Sequence, residues 1–286
     1  MALGRKLFFD EGLSQPRGVS CMDCHRPGMA FTDGLALTRA GVSGQPLVRN
    51  SPTLLNVAFG TAFFWDGGAA NLESQAYGPL QHPDEMSIDL EEMERYLREH
   101  AEYPALFQAA FGPQAQMDNV EVVRALAQYQ RTLVSFHTPW DAYQAGDTLA
   151  LQGPALAGWK VFQQRCQSCH TPPLFTDNGY HNNGLDTHYP DTLEGVYQGR
   201  YRITLDATDL GKFKTPSLRN VARTAPYMHD GRFATLEAVL DHYQQGMQPS
   251  ATLDTALAEG ISLSPEERTA LLAFLREALS DSVIVN

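Results

Sequence analysis

Long apolar runs are missing from this chain: no stretch reaches 18 residues, so nothing in the sequence is built to span a membrane. Positive charge is scarce, with 21 Lys and Arg against 33 Asp and Glu and a formal net charge of −12. That balance argues against nucleic acid, whose binding depends on basic side chains neutralising phosphates. It suits solubility or a basic protein partner. The first residues, Met1-Ala2-Leu3-Gly4-Arg5-Lys6, lack the basic, apolar and small-residue order of a secretion leader. Either the protein is cytosolic or a leader has been removed. Cysteine is rare, four in 286 residues, and its placement decides between the two.

A hydrophobic content of 43% and a charged content of 19% are those of an ordinary folded protein, and the length has room for two domains. The four cysteines fall in two copies of one pattern, Cys21-Met22-Asp23-Cys24-His25 and Cys166-Gln167-Ser168-Cys169-His170. Cys-x-x-Cys-His is the attachment signature of a c-type haem. Two thiols add to the vinyl groups of one porphyrin, and the adjacent His places its imidazole under the iron. A disulfide or zinc site is the bland alternative, but two matches that consume every cysteine weigh against it. Cys21, Cys24 and His25, and Cys166, Cys169 and His170, therefore predict two covalent haems. Covalent haem attachment belongs outside the bacterial cytoplasm, so a removed leader and a secreted or periplasmic location are expected.

More than the haem motif repeats. Phe31-Thr32-Asp33 returns as Phe175-Thr176-Asp177 at an offset of 144. Pro52, Leu54, Asn56, Val57 and Ala58 return as Pro216, Leu218, Asn220, Val221 and Ala222 at an offset of 164. That offset holds without a gap through Asp66-Gly67 against Asp230-Gly231 and Leu72-Glu73 against Leu236-Glu237. The expected architecture is mainly α, two haem domains related by internal duplication, residues 1–147 and 148–286, with the boundary in the Gly146–Gly153 stretch. Local signals agree with helix. Asp118 and Glu121 form a capping box ahead of Val120, Val123, Ala127 and Val134. Ser264, Pro265 and Glu267 open a last helix carrying Leu271, Phe274, Leu275 and Ala278. Ile88 to His100 carries a third such pattern. The Gly-, Pro- and Asn-rich stretches after each haem motif predict long loops around the cofactors, and strand signals are few.

A six-coordinate haem passes electrons, whereas a five-coordinate one can bind peroxide. The question is what faces His25 and His170. In the second half, His242 and Tyr243 are candidate ligands, with Met247 behind them; at an offset of 164 they match Gly78 and Pro79, which have no donor side chain. The halves are therefore expected to differ, the second haem closed and the first open. Spacing alone leaves the choice unmade, because Leu236, Val239, Leu240 and Tyr243 also form one apolar helix face.

Four blocks now identify a family: Leu3-Gly4-Arg5-Lys6-Leu7-Phe8-Phe9-Asp10, Arg49-Asn50-Ser51-Pro52-Thr53, Phe64-Trp65-Asp66-Gly67 and Thr224-Ala225-Pro226-Tyr227-Met228-His229-Asp230-Gly231. Across nearly the whole chain they resemble the bacterial di-haem cytochrome c peroxidase and MauG superfamily. The resemblance implies two cytochrome c-like helical domains. The peroxidases supply a distal His to the first haem from the loop after the first motif; here Gly34-Leu35-Ala36-Leu37-Thr38-Arg39-Ala40-Gly41-Val42 has none. They place a Met opposite the second haem, where this chain has Tyr243. Both departures match the MauG branch, with a five-coordinate first haem and a His/Tyr-ligated second.

The same resemblance implies the remaining roles. Glu85 stands at the distal acid, where a carboxyl can shuttle the peroxide proton, and Gln75 and Pro79 at two further pocket positions. Trp65 matches an aromatic lodged between the haems. Asn50, Thr224 and Pro226 match positions that hold a calcium ion, a hard cation suited to amide and carbonyl oxygen. From the residues alone, Glu85 reads as a solvated loop acid and Trp65 as core. The expected activity is a MauG-like use of hydrogen peroxide to form a high-valent di-haem state and oxidise Trp or Tyr residues of a partner protein. The alternative is a peroxidase reducing hydrogen peroxide with electrons from a small cytochrome c or a cupredoxin. A plain electron carrier is disfavoured, because the first haem has no obvious sixth ligand.

Overall fold

The computed structural model describes residues 1–281, so the end of the expected second domain, residues 282–286, lies outside the described residues. The chain divides into two compact units. Met1–Phe63 joins Ala69–Val134 in the first, and Phe64–Gly68 joins the chain from Ser135 onward in the second. Helices dominate, and the described residues hold one two-stranded sheet. No helix among them is long and apolar enough to cross a membrane.

The first unit carries α1 (Ala2–Phe8), α2 (Cys21–Cys24), α3 (Leu72–Gln81), α4 (Leu90–Glu99), α5 (Tyr103–Phe111) and α6 (Asn119–Gln130). Its centre is the packing of α1 on α6. Leu3, Leu7 and Phe8 of α1 and Val122, Val123, Leu126 and Ala127 of α6 are all buried; burying one such large side chain stabilises by roughly 1.5–3 kcal/mol. Gly4 permits the close approach. A Cβ there would stand 2.7 Å from the carbonyl carbon of Ala125, closer than packed atoms come. The Ile88–His100 pattern emerges as α4, capped by the Asp89 carboxylate on the amides of Glu91 and Glu92, with Met93 and Leu97 inward. At α6 the structure departs from the expected box. The Asp118 carboxylate accepts from Glu121 N, but Glu121 turns outward and accepts the amides of Gln116 and Met117. Those loop amides would otherwise lack partners, so Glu121 stabilises the approach to the helix instead of closing the box.

The second unit carries α7 (Pro139–Gln144), α8 (Gly153–Arg165), α9 (Tyr201–Thr204), α10 (Leu236–Asp241) and α11 (Pro265–Ala273), with β1 (Tyr180–His181) paired antiparallel to β2 (Phe213–Lys214). Here α8 packs on α11 in the manner of α1 on α6. Gly158 makes the approach: a Cβ would lie 2.6 Å from the carbonyl carbon of Ala270. The box of Ser264 and Glu267 closes reciprocally at the start of α11. Both α10 and α11 end in a π-helical turn, His242–Gly246 and Phe274–Ala278; such turns cluster at functional positions. Trp140, Trp159, Phe162, Phe175 and Phe274 form an aromatic core. Against it lies Arg219, 1% exposed. Its guanidinium pairs in a fork with both carboxylate oxygens of Asp141 (2.9 and 2.7 Å), and its Nε donates to Pro173 O at 2.7 Å. Its Nη1 also donates to Ser135 O at 3.2 Å, so the buried cation is both paired and hydrogen-bonded, the condition under which burial is tolerated.

Candidate haem sites

Each Cys-x-x-Cys-His segment is one helical turn. In α2, His25 N donates to Cys21 O at 3.0 Å; after α8, His170 N donates to Cys166 O at 2.9 Å. The first turn has a closed capping box, Ser20 with Asp23. All four thiols are free of disulfides. Burial pushes Cys21 and Cys166 up to about 12 and Cys24 up to about 11. In each turn the two thiols stand beside one imidazole, the donor set that thioether attachment and iron ligation require. The donor set thus fits a covalent haem on each unit.

The histidines are oriented alike. His25 Nδ1 stands 3.0 Å from Phe31 O, and His170 Nδ1 stands 3.2 Å from Phe175 O. A carbonyl can only accept, so Nδ1 carries the proton and Nε2 keeps its lone pair for iron. Burial lowers both imidazoles below their ordinary range, which keeps that lone pair available. Phe31 and Phe175 both adopt a left-handed backbone, φ 58° and 57°, an uncommon conformation that turns the carbonyl back toward the ring.

The surroundings differ. In the first unit the structure brings Glu85 to the Cys21–Cys24 turn, near enough for their charges to interact. Glu85 sits in a turn after α3: Glu85 N and Ser87 N both donate to His82 O, at 3.0 and 3.1 Å, and Met86 N returns to Pro79 O at 3.1 Å. Burial pushes the Glu85 carboxyl above its ordinary range, with His82 opposing the push and Asp84 adding to it. Gln75 and Pro79, four apart on α3, share a half-buried face.

In the second unit the structure brings Tyr243 to the Cys166–Cys169 turn. Burial raises the Tyr243 hydroxyl above its ordinary value, and the Asn183 amide, donating to it at 3.5 Å, opposes that. His242, the rival candidate, turns elsewhere and donates from Nε2 to Asn183 O at 2.8 Å. Met247 lies just past the π-helical turn. A bracket not foreseen from sequence also stands here: His181 Nδ1 meets Asp254 at 2.5 Å and Nε2 meets Asp177 at 2.8 Å. Burial disfavours the imidazolium, but the two carboxylates outweigh it and raise His181 above its ordinary value. The matching acid of the first unit, Asp33, has a buried Oδ2 with no hydrogen-bond partner.

Trp65 is half-buried in the Phe64–Gly68 loop. Within the second unit that loop is held by Lys214 N on Trp65 O (2.8 Å) and by Arg200 on the carbonyls of Asp66 and Gly67 (3.0 and 3.1 Å). Of the residues matched to calcium, Asn50 belongs to the first unit, and Thr224 and Pro226 to the second. Asn50 is buried, and its amide nitrogen donates to Leu35 O at 2.8 Å.

Two helical units, each with an oriented His beside a Cys pair, define a di-haem c-type oxidoreductase. The sequence model of the di-haem cytochrome c peroxidase family matches residues 1–149. The chain is 40% identical to the methylamine utilization protein MauG of Methylorubrum extorquens over 280 residues, 96% of this chain and 76% of that one. It is 37% identical to the cytochrome-c peroxidase IdrP1 of Pseudomonas sp. strain SCT, over 99% of this chain and 81% of that one. Among solved structures, a MauG-like protein associated with microbial copper homeostasis is similar with a TM-score of 0.89 and 31% identity, covering 100% of this chain and 90% of that one. The diheme peroxidase BthA of Burkholderia thailandensis is similar at a TM-score of 0.79 and 27% identity, covering 98% and 86%. The chain belongs to the di-haem cytochrome c peroxidase family, and is an enzyme of oxidoreductase type.

Proposed function

We propose that this protein is a MauG-like di-haem oxidase that uses hydrogen peroxide to oxidise Trp or Tyr residues of a partner protein. The observation that carries this reading is the unlike company of two like attachment turns. A buried acid approaches Cys21–Cys24 and a phenol approaches Cys166–Cys169, while the loop from Gly34 to Val42 holds no His. His25 would hold the first haem, and His170 with Tyr243 would hold the second. When bound, the haems supply peroxide reactivity and storage of oxidising equivalents. Glu85 would hold and return a proton at its carboxyl during peroxide cleavage, with Gln75 and Pro79 lining the space around it. Trp65 relays electrons. Domains of residues 1–147 and 148–286 descend from one duplicated haem domain, a reading supported by the paired glycine crossings and the paired Phe carbonyls. The protein works in the periplasm.

A second reading has its own support, because relatives such as IdrP1 carry the name cytochrome-c peroxidase. There the electrons come from a small cytochrome c or a cupredoxin. Steady-state turnover of hydrogen peroxide with reduced cytochrome c separates the two. The proposed function predicts slow turnover, together with oxidised aromatic residues in a bound partner protein. Rapid turnover and an unmodified partner would establish the peroxidase instead.

A further inference from the structure

We propose that Gly41 is a positioning residue for Glu85, fixing where its carboxyl stands relative to the Cys21–Cys24 turn. The inference rests on the reading of Glu85 as proton carrier given above. Gly41 lies backbone to backbone against the 84–85 peptide. A Cβ at Gly41 would overlap the Asp84 carbonyl oxygen and stand 2.7 Å from its carbon and 2.8 Å from Glu85 Cα. All three are main-chain atoms, so no side-chain rotation relieves the clash. Gly41 is not among the positive-φ glycines, so the position demands glycine for space and not for backbone freedom.

The contact is also tied. Val42 N donates to Glu85 O at 2.8 Å, while Glu85 N donates to His82 O at 3.0 Å, so the Glu85 peptide is held from both sides. The loop that carries Gly41 is closed on itself: Leu47 N donates to Thr38 O at 2.9 Å, Gly44 N to Gly41 O at 3.0 Å, and Ala40 N to Thr38 Oγ1 at 3.2 Å. Thr38 is fully buried, and its hydroxyl lies 3.8 Å from Cys24 Sγ. A continuous path therefore runs from the attachment cysteine through Thr38 and Gly41 to the backbone of the acid. With the loop fixed at both ends, a side chain at position 41 displaces the 84–85 segment, and Glu85 loses its place.

The test is a double-mutant cycle on the two-haem protein, read by stopped-flow loss of the ferric spectrum on mixing with hydrogen peroxide. Gly41→Ala should slow the reaction about 10–100-fold, part of the 10²–10⁴ that general acid–base assistance supplies. It should keep both haems by mass and leave the resting spectrum unchanged. Gly28→Ala, where a Cβ meets nothing within 4 Å, should react at the parent rate. In a Glu85→Gln background, Gly41→Ala should cost nothing further. An equal slowing in both backgrounds, or a parent rate for Gly41→Ala alone, would overturn the proposal. A parent rate for Glu85→Gln would instead remove the reading of Glu85, and this inference with it. Should Gly41→Ala fail to take up haem, Glu85→Asp retracts the carboxyl by one methylene with the loop intact. A rate within about twofold of the parent would then show that the carboxyl's place is immaterial and overturn the proposal.

Discussion

In the first unit His25 faces the Phe31 carbonyl at 3.0 Å, and in the second His170 faces the Phe175 carbonyl at 3.2 Å. Gly4 brings α1 onto α6, and Gly158 brings α8 onto α11. Beyond these shared parts the units diverge. Asp33 keeps a buried oxygen without a partner, while its counterpart Asp177 bonds His181. Leu55, buried and apolar, stands where the second unit has Arg219 forked on Asp141. Glu85 approaches one Cys pair, Tyr243 the other. The attachment chemistry fixes the turn, the His orientation and the helix crossing that backs it, so both units solve that problem in one way. What approaches from the remaining side is free to differ, and there the two units do differ.

The comparison breaks most completely at the cysteines. Cys21→Ser with Cys24→Ser should leave one covalent haem by mass spectrometry, and Cys166→Ser with Cys169→Ser should leave the other. Loss of both haems from either pair would mean that the units do not load independently. Next in size is Glu85→Gln, expected to slow the peroxide reaction by about 10²–10⁴-fold while the second unit's spectrum is untouched. Removing Arg219 acts on stability in the second unit alone. Arg219→Met leaves Asp141 without its cation and should cost about 3–5 kcal/mol in denaturant unfolding, with much of the loss recovered by adding Asp141→Asn. A cost below about 1 kcal/mol would show that the fork contributes little.

The smallest effect is the most specific to pH. The His181 value is raised, so its contribution is full below the ordinary value of 6.5 and is lost as pH rises through the raised one. Asp177 and Asp254 are lowered; burial opposes this, but their bonds to His181 prevail, so their contribution is lost only as pH falls through the lowered values. His181→Asn should therefore cost roughly 1–2 kcal/mol near about pH 6 and markedly less near about pH 9. Equal costs at the two pH values would show that the bracket acts by packing and not by charge.

Much of this comparison is written in local sequence. The Cys-x-x-Cys-His turns, the Ser264–Glu267 box and the amphipathic stretch that became α4 rest on residues within one or two turns of each other, so spacing reveals them. The Phe31 and Phe175 carbonyls lay half in view. The Phe-Thr-Asp repeat marked both positions, but a backbone acceptor has no side-chain signature, so its role emerges only from the fold. Contacts between distant segments were out of reach. Gly41 against the 84–85 peptide, Arg219 on Asp141 and His181 between two acids depend on chain paths that no periodicity encodes. Glu121 shows the reverse, a motif read correctly as a helix start whose second partner found loop amides nearer to hand.

The central claim is that two like attachment turns hold unlike irons, one open and one closed by Tyr243. Electron paramagnetic resonance of the resting ferric two-haem protein tests it most directly, compared with Tyr243→Phe. The account predicts one high-spin and one low-spin signal in the parent, with Tyr243→Phe changing the low-spin signal and leaving the high-spin one as it was. Two low-spin signals in the parent, or a low-spin signal indifferent to Tyr243→Phe, would contradict it.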